Sequence, residues 1–411
     1  MTATFEELDE QFKKYAWDQT RANGPDADAT DNAPIISATP YQWVDPTTLP
    51  RREWLHGRHL IRKFLSATVA AGGVGKSSLV IVESLELVSG LPLLTRHTGK
   101  PLRDWYWNGE DPIDEIQRRV QASCIHYKID KEQIGTRLFV DTGRRTPIIV
   151  ATEVRGSLQI AHPVVDAVKR TIEANEIDLL RVDPFVRCHR VPENDNGKIN
   201  AVAETWAEIA DATGSAVELV HHIRNTGGNE TSADDARGAV ALTDAARAVR
   251  VINRMTEKEA ETANVPNRLL YFRINDGKSN LAPPAEAATW CRLESISLGN
   301  DKGGPADMVG VVVPWRWPDP LEGVTVDDLR EVQRRLAIGA YRSDPRAKDW
   351  AGYMVAEVLQ WGNSVHGLDA QVKKDLISII NKWRTTGAVR EVERKDEDRK
   401  PHKFLEKGNP V

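Results

Sequence analysis

The chain has 411 residues, long enough for two domains or for one large core with appendages. Apolar residues make up 40 % and charged residues 28 %, the balance of a soluble globular protein, and no run approaches the ~18 apolar residues of a membrane span. A formal net charge of −5 excludes a uniformly basic nucleic-acid binder but leaves local basic patches open, and three scattered cysteines (Cys124, Cys188, Cys291) exclude a disulfide framework or a zinc spacing and point to the cytoplasm.

In chain order, residues 1–22 are expected to hold a helix, with Phe5, Leu8, Phe12 and Ala16 at helical spacing. Residues 23–40 are small, polar and rich in Asp, Asn and Pro, and read as a linker. From 41 to 294 short apolar runs alternate with longer helical stretches. The strand candidates are Leu65–Ala70, Trp105–Trp107, Leu138–Asp141, Leu179–Val182, Ala216–Val220, Ala248–Ile252 and Leu269–Ile274. The helix candidates are Lys76–Ser89, Ile113–Tyr127, Pro163–Ala174, Asn200–Ala212 and Thr256–Ala263. Such alternation predicts an α/β core with a mainly parallel sheet, in which the last two strands pair antiparallel at one edge. Gly, Pro and Asp clusters make 295–324 a connector. Residues 325–411 then offer three helices, the first capped by Thr325 with Asp328, and two short segments joined by a charged tip, which is a winged helix-turn-helix pattern.

The most informative stretch is SATVAAGGVGKSSLV, an apolar strand running through a small-residue loop into a helix that begins at Lys76. Glycines 72, 73 and 75 let successive N–H groups turn inward, and the helix N-terminus behind them favours an anion. Ala71, Gly72, Gly73, Val74, Gly75, Lys76, Ser77 and Ser78 are therefore the expected ATP-binding set. Lys76 can reach the β- and γ-phosphates, and Ser77 offers a hydroxyl to Mg²⁺. The pattern is AxxxxGKS, with Ala70 in place of the first glycine of GxxxxGK[ST]. A phosphate grip needs carboxylates for the metal and the attacking water. In WYWNGED, Glu110 follows a short aromatic strand and is placed to orient or deprotonate water; a helix-initiating acid is the plainer alternative. In DLLRVDP, Asp183 ends an apolar run and is placed to hold Mg²⁺ through water. Arg181 within that run either faces solvent or pairs with an acid such as Glu218.

The ordered set AAGGVGKSS, NGED, LLRVDP, LVHHIRNTGG, ARGAVALTDAARAVRVI and NDGKSNLAPP resembles the RecA-like P-loop ATPases of the plasmid RepA type, ring-forming hexameric DNA helicases with relatives in prophages and other mobile elements. The likeness covers about residues 54–284. It implies a RecA-like fold using ATP and Mg²⁺. It implies Lys76 and Ser77 at the triphosphate and metal, Glu110 as the catalytic carboxylate, Asp183 as the second metal-site acid, and His222 as the sensor of the γ-phosphate. Arg247 is implied as a finger reaching into a neighbour's site, with Lys278 a second base acting in trans and Arg237 a weaker candidate. The loops at 187–200 and 223–237, long and polar, are implied to touch single-stranded DNA, with Arg187, Arg190, Lys198 and Arg224 at phosphates.

Residues 371–411 hold eleven Lys and Arg against seven Asp and Glu, a local basic excess in an acidic chain. Lys373, Lys374, Lys382 and Arg384 on the third helix, with Arg390 and Arg394 on the wing, are candidate duplex contacts; a protein-binding module is the alternative. The reading is an ATP-dependent, ring-forming DNA helicase or translocase in replication of a mobile element, homo-oligomeric and, by resemblance, hexameric, with a primase or initiator as a further partner. A recombination mediator that forms filaments, and an ATP-gated DNA-binding regulator, are the alternatives.

Overall fold

The computed structural model describes residues 38–94, 99–223, 240–283, 287–362, 367–395 and 401–409. The expected N-terminal helix, most of the linker, Arg224 and Arg237 lie outside these residues. The chain divides into two units, residues 1–51 and 52–411. In the first, the described residues are irregular except for a 3-10 turn at Pro46–Thr48, which Asp45 caps by accepting the Thr47 N–H at 2.8 Å. No helix among the described residues is long and apolar enough to cross a membrane.

The second unit is built on a nine-stranded sheet. Its strands are β1 (Leu65–Ala71), β2 (Asp104–Asn108), β3 (Leu138–Thr142), β4 (Leu179–Asp183), β5 (Ala216–Ile223), β6 (Ala248–Arg254), β7 (Tyr271–Ser279), β8 (Thr289–Ser297) and β9 (Met308–Pro314), in the order β9-β8-β7-β6-β1-β5-β4-β2-β3. From β6 to β3 every pairing is parallel, and β6 to β9 pair antiparallel. The fold is thus α/β with a mixed sheet. The expected connector at 295–324 is strand over much of its length. Its Gly and Asp cluster is a hairpin turn, with Gly299 and Gly303 in the left-handed region, and the valine-rich run after it pairs back on β8. Turn chemistry and linker chemistry use the same residues, so composition alone could not separate them.

Among the described residues the sheet is accompanied by a one-turn helix at Lys131–Ile134 and by α1 (Lys76–Ser89), α2 (Ile113–Tyr127), α3 (His162–Ala174), α4 (Asn196–Thr213), α5 (Val240–Ala245) and α6 (Glu257–Ala263). Side chains alternate across each strand. On β4, Leu180 and Val182 join a core with Trp206, Ile209 and Leu242 from α4 and α5. The opposite face packs under α1, where Leu79, Ile81, Val82 and Leu85 meet Tyr106, Val220, Ile252 and Ile274. α1 is buried along nearly its whole length because α2 and β9 cover its outer side.

Arg181 resolves the choice left by the sequence. It is fully buried on the α1 side, bonded to Asp104 (Nε to Oδ2, 3.0 Å), Glu83 (Nη1 to Oε2, 3.3 Å) and Glu218. Arg250 completes the layer, donating to Thr68 Oγ1 (2.7 Å), to Glu83 Oε2 (2.7 Å) and to Glu218 Oε1 (3.0 Å). Five strands, through Thr68, Asp104, Arg181, Glu218 and Arg250, are therefore linked to α1 at Glu83.

The C-terminal part forms its own core. Helices α7 (Val326–Ile338), α8 (Ala351–Val358) and α9 (Ala370–Thr385) enclose Leu329, Val332, Trp350, Met354, Leu376, Ile379 and Trp383. Thr325 and Asp328 form the expected capping box on α7. A three-stranded antiparallel sheet of β10 (Tyr341–Arg342), β11 (Val389–Lys395) and β12 (Pro401–Lys407), ordered β10-β12-β11, completes it.

Candidate nucleotide site

β1 delivers the chain to the loop at Ala71, and α1 leaves it at Lys76. Gly73 and Gly75 have φ of +71° and +113°, conformations that L side chains rarely adopt, so both need glycine. No side chain caps α1, which leaves its first-turn N–H groups directed at whatever anion lies in the loop. Lys76 is buried and its Nζ donates to the carbonyls of Ala70 (3.0 Å) and Ala71 (2.6 Å). Burial pushes its pKa down to about 8, against the pull of Asp183 and Glu110. A triphosphate placed here would favour the charged form further.

The carboxylates sit at the ends of neighbouring strands. Asn108 and Asp183 are register partners of β2 and β4, and the Gly109 N–H donates to the Asp183 carbonyl at 2.8 Å. A chain of hydrogen bonds links them: Asn108 Nδ2 to Tyr106 Oη (2.9 Å), then Tyr106 Oη to Asp183 Oδ2 (2.8 Å). Burial, helped by Asp183, raises the Tyr106 phenol well above its ordinary pKa, so it stays a donor. Asn108 Oδ1 also accepts the N–H groups of Glu110 (2.9 Å) and Asp111 (2.7 Å). One amide side chain therefore shapes the loop carrying Glu110 and steadies Asp183. Sequence reasoning passed over Asn108 and Tyr106; Asn before Gly, an ordinary side-chain-to-backbone turn former, was the available signal for the first.

His222 is in register with Ala70 on β5, and its Nε2 lies 3.8 Å from Asp183 Oδ1. His221 points to the other face, beside Phe185 (6.1 Å between ring centroids), where burial pushes its pKa down to about 4. The two histidines divide as alternate residues of a strand must.

A cavity of about 570 Å³ opens from the loop. Lys76, Ser77, Ser78 and His222 line one side; Arg118 and Arg119 of α2 and Met308–Gly310 of β9 form the other. That far wall is not legible in the sequence, because β9 falls within 295–324, whose Gly, Pro and Asp clusters read as a connector, and the two arginines lie about two helical turns past the NGED motif. Both arginines are ion-paired, Arg118 to Asp114 (2.9 Å) and Arg119 to Asp111 (2.7 Å). Among the described residues no cluster of His, Cys, Asp or Glu could hold a metal by itself. The donors present nevertheless fit Mg²⁺, a hard ion that takes few protein oxygens alongside nucleotide and water: a first-turn hydroxyl at Ser77, and Asp183 with Oδ2 fixed by Tyr106.

Arg247 and Lys278 are not at this site. They lie together at the opposite end of the sheet: Val249 and Lys278 are register partners, and the Asn280 N–H donates to the Arg247 carbonyl at 3.1 Å. Arg247 is exposed in the turn between α5 and β6, with its N–H on the carbonyl of Leu65, the first residue of β1. Lys278 Nζ donates to the carbonyls of Thr243 and Asp244, both at 2.9 Å, at the end of α5. The length of β1, ~20 Å at ~3.3 Å per residue, separates them from the phosphate loop of their own chain.

The expected open loop at 187–200 is mostly folded. Phe185–Cys188 is a 3-10 turn, His189–Arg190 pairs with Ala151–Thr152, and α4 begins at Asn196. Cys188 anchors it, since its carbonyl accepts the Val150 N–H (2.8 Å) and its Sγ accepts Trp206 Nε1–H (3.3 Å). Lys198 is paired with Glu153 and Asp195, both at 3.0 Å, which removes it as an unshared cation. Arg190 is exposed and donates to the His189 carbonyl, and Arg187 is paired with Glu110.

In the C-terminal part, Lys373 lies over the Trp350 ring at 5.6 Å. Arg384 pairs with Glu391 (3.2 Å), Arg390 with Glu406 (2.9 Å), and Arg394 with Glu406. Lys374 and Lys382 are exposed and make no ion pair among the described residues. Half of the expected basic set is thus shared with acids of the same module.

No curated protein matches the chain. Similar solved structures include the "ATPase Domain of G40P" (TM-score 0.40, 9 % identity, 56 % of this chain and 81 % of that one) and the RadB recombinase (TM-score 0.36, 12 % identity, 57 % and 88 %). Residues 33–228, which carry the phosphate-loop sequence, Glu110, Asp183 and His222, match the family model of an AAA domain.

Proposed function

We propose that the chain is a subunit of an ATP-driven motor that moves on single-stranded DNA, built as a ring of like subunits with each nucleotide between neighbours. The observation that carries the reading is the division of the machinery. Lys76, Glu110, Asp183 and His222 gather at one end of the sheet, and Arg247 and Lys278 at the other. A chain whose Arg247 stands at the far end of the sheet from its own phosphate loop is suited to present that guanidinium to a neighbour's.

In this reading the loop N–H groups and Lys76 hold the β- and γ-phosphates, and Glu110 orients the attacking water. Mg²⁺, when bound by Ser77 and Asp183, offsets charge on the phosphate oxygens. The neighbour's Arg247 meets the charge that spreads over the transferring group. His222, beside Asp183 at the end of β5, reports the phosphate state to the segment that follows that strand. The C-terminal module is read as a winged helix that targets the motor to duplex DNA or to a loading partner, with Lys374 and Lys382 its least compensated cations.

Mixing two inactive variants tests the division. Lys76→Ala and Arg247→Ala are each expected to lose hydrolysis, the second by about 10³-fold or more as for other arginine fingers. Mixed, they are expected to regain part of the wild-type rate, because an intact loop of one subunit meets an intact Arg247 of the other. A mixture as inactive as its parts sinks the shared site. Displacement of a strand from a forked duplex then separates a motor from a filament former or a regulator.

A further inference from the structure

The one acid read as the water-orienting base is not free. Arg187 Nε lies 3.1 Å from Glu110 Oε1, with side-chain exposures of 53 % and 39 %. The contact is built in from both sides. A Cβ on Gly109 would stand 2.4 Å from Arg187 Cβ and 2.8 Å from its Cγ, so the arginine stem lies directly against the backbone that precedes Glu110. The Arg187 N–H donates to the Pro184 carbonyl at 3.0 Å, which fixes the residue in the turn just after Asp183. A second exposed guanidinium, Arg144, donates to the Glu110 carbonyl at 3.2 Å. Two cations therefore meet residue 110 at the solvent edge of the site, one on its carboxylate and one on its main-chain carbonyl, an excess of positive charge that attracts phosphate oxygens.

We infer that Arg187 is a restraint on Glu110, and that a phosphodiester of single-stranded nucleic acid releases it by taking the guanidinium. The inference rests on the proposed reading of Glu110. A carboxylate that orients water must turn an oxygen to the in-line position, and Oε1 is held by the ion pair instead. A phosphate with two charged oxygens competes for the same planar donor, bidentately, and the carboxylate is set free. Arg187 is in this way a positioning residue that links strand binding to hydrolysis, and it explains why a DNA-facing arginine is four residues from the metal-site acid.

The test is Arg187→Gln, assayed for ATP hydrolysis with and without oligo-dT, with melting temperature and binding of a non-hydrolysable ATP analogue as controls for the fold and the site. The expected result is a DNA-free kcat raised about twofold to fivefold, the range an exposed ion pair can withhold from a barrier, with KM for ATP unchanged. Stimulation by oligo-dT is expected to shrink toward unity, and Arg187→Lys, which keeps a point charge, to fall between. A lowered DNA-free kcat, or stimulation as large as in the wild type, overturns the restraint. Inorganic phosphate at matched concentration is expected to leave the wild-type rate unchanged; activation equal to that by oligo-dT overturns the strand as the trigger. Failure of the functional reading shows separately: wild-type hydrolysis that ignores oligo-dT sinks the DNA motor, while a raised rate in Arg187→Gln still upholds the restraint.

Discussion

Lys76→Ala is expected to lower ATP hydrolysis about 10²- to 10³-fold, the loss seen when one preorganised donor to a developing charge is removed. The lysine lies inside the loop, bonded to two carbonyls of the strand that precedes it, with Asp183 and Glu110 close enough to act on its charge. The other cations at the cavity are engaged elsewhere: Arg118 and Arg119 are ion-paired on α2, and Arg254 donates to the Gly73 carbonyl. Removal of Lys76 leaves the γ-phosphate to the loop N–H groups, the metal and the neighbour's Arg247. Stability should change little, because the ammonium is held down to about pKa 8 by burial and contributes less to the fold than a fully charged group with an ion-pair partner. Steady-state hydrolysis and thermal melting of the variant check both halves; a variant that hydrolyses at the wild-type rate removes the loop from the mechanism.

Arg250→Met is expected to cost about 3–5 kcal/mol of stability, the penalty for breaking a buried ionic network by one partner. Arg250, Arg181, Glu83, Glu218 and Asp104 are all nearly inaccessible. Burial alone would raise the two glutamates; Arg181 and Arg250 instead hold Glu218 well below the usual range, and Arg250 leads in holding Glu83 at about 2. Loss of Arg250 leaves Glu83 and Glu218 sharing one guanidinium. Denaturant titration measures the cost, and a loss within ~0.5 kcal/mol, as at an ordinary surface site, would contradict it. The same layer makes the fold acid-sensitive. Burial, reinforced by Arg250, pushes His59 down to about 4, below the ~6.5 of an unfolded histidine. The unfolded chain therefore takes up a proton that the folded one refuses, and stability falls as pH drops from ~6.5 toward 4, at up to ~1.4 kcal/mol per pH unit for this residue. Unfolding free energies measured at about pH 7 and about pH 5 should differ accordingly, and His59→Gln should flatten the slope if it folds.

The strands and helices of the parallel half were legible because their signals are local. LSATVA, LLRV and AVELV are short apolar runs, and KSSLVIVESLELV begins where the glycines end. The phosphate loop was legible for the same reason: the strand, the turn and the helix N-terminus are contiguous. Less could be read where a residue's meaning depends on its neighbour across the sheet. For Arg181 the sequence left two places open, solvent or an acid such as Glu218; β4 lying beside β5, where Glu218 is its register partner, and under α1, which brings Glu83, decides between them. Asn108 acquired its role from Tyr106 and Asp183. Lys198 looked available until the hairpin of residues 151–160 brought Glu153 against it.

The sequence by itself determined the strand, glycine turn and helix of residues 65–89 and the alternation of strands and helices ahead of a helical module, because each of those signals is local in the chain. Only the tertiary structure decided that residues 289–314 belong to the sheet, that Arg247 and Lys278 stand at the far end of it from Lys76, and that Arg187 grips Glu110. Those outcomes depend on strand order and register, which pair residues separated by tens to hundreds of positions and leave no mark in local pattern.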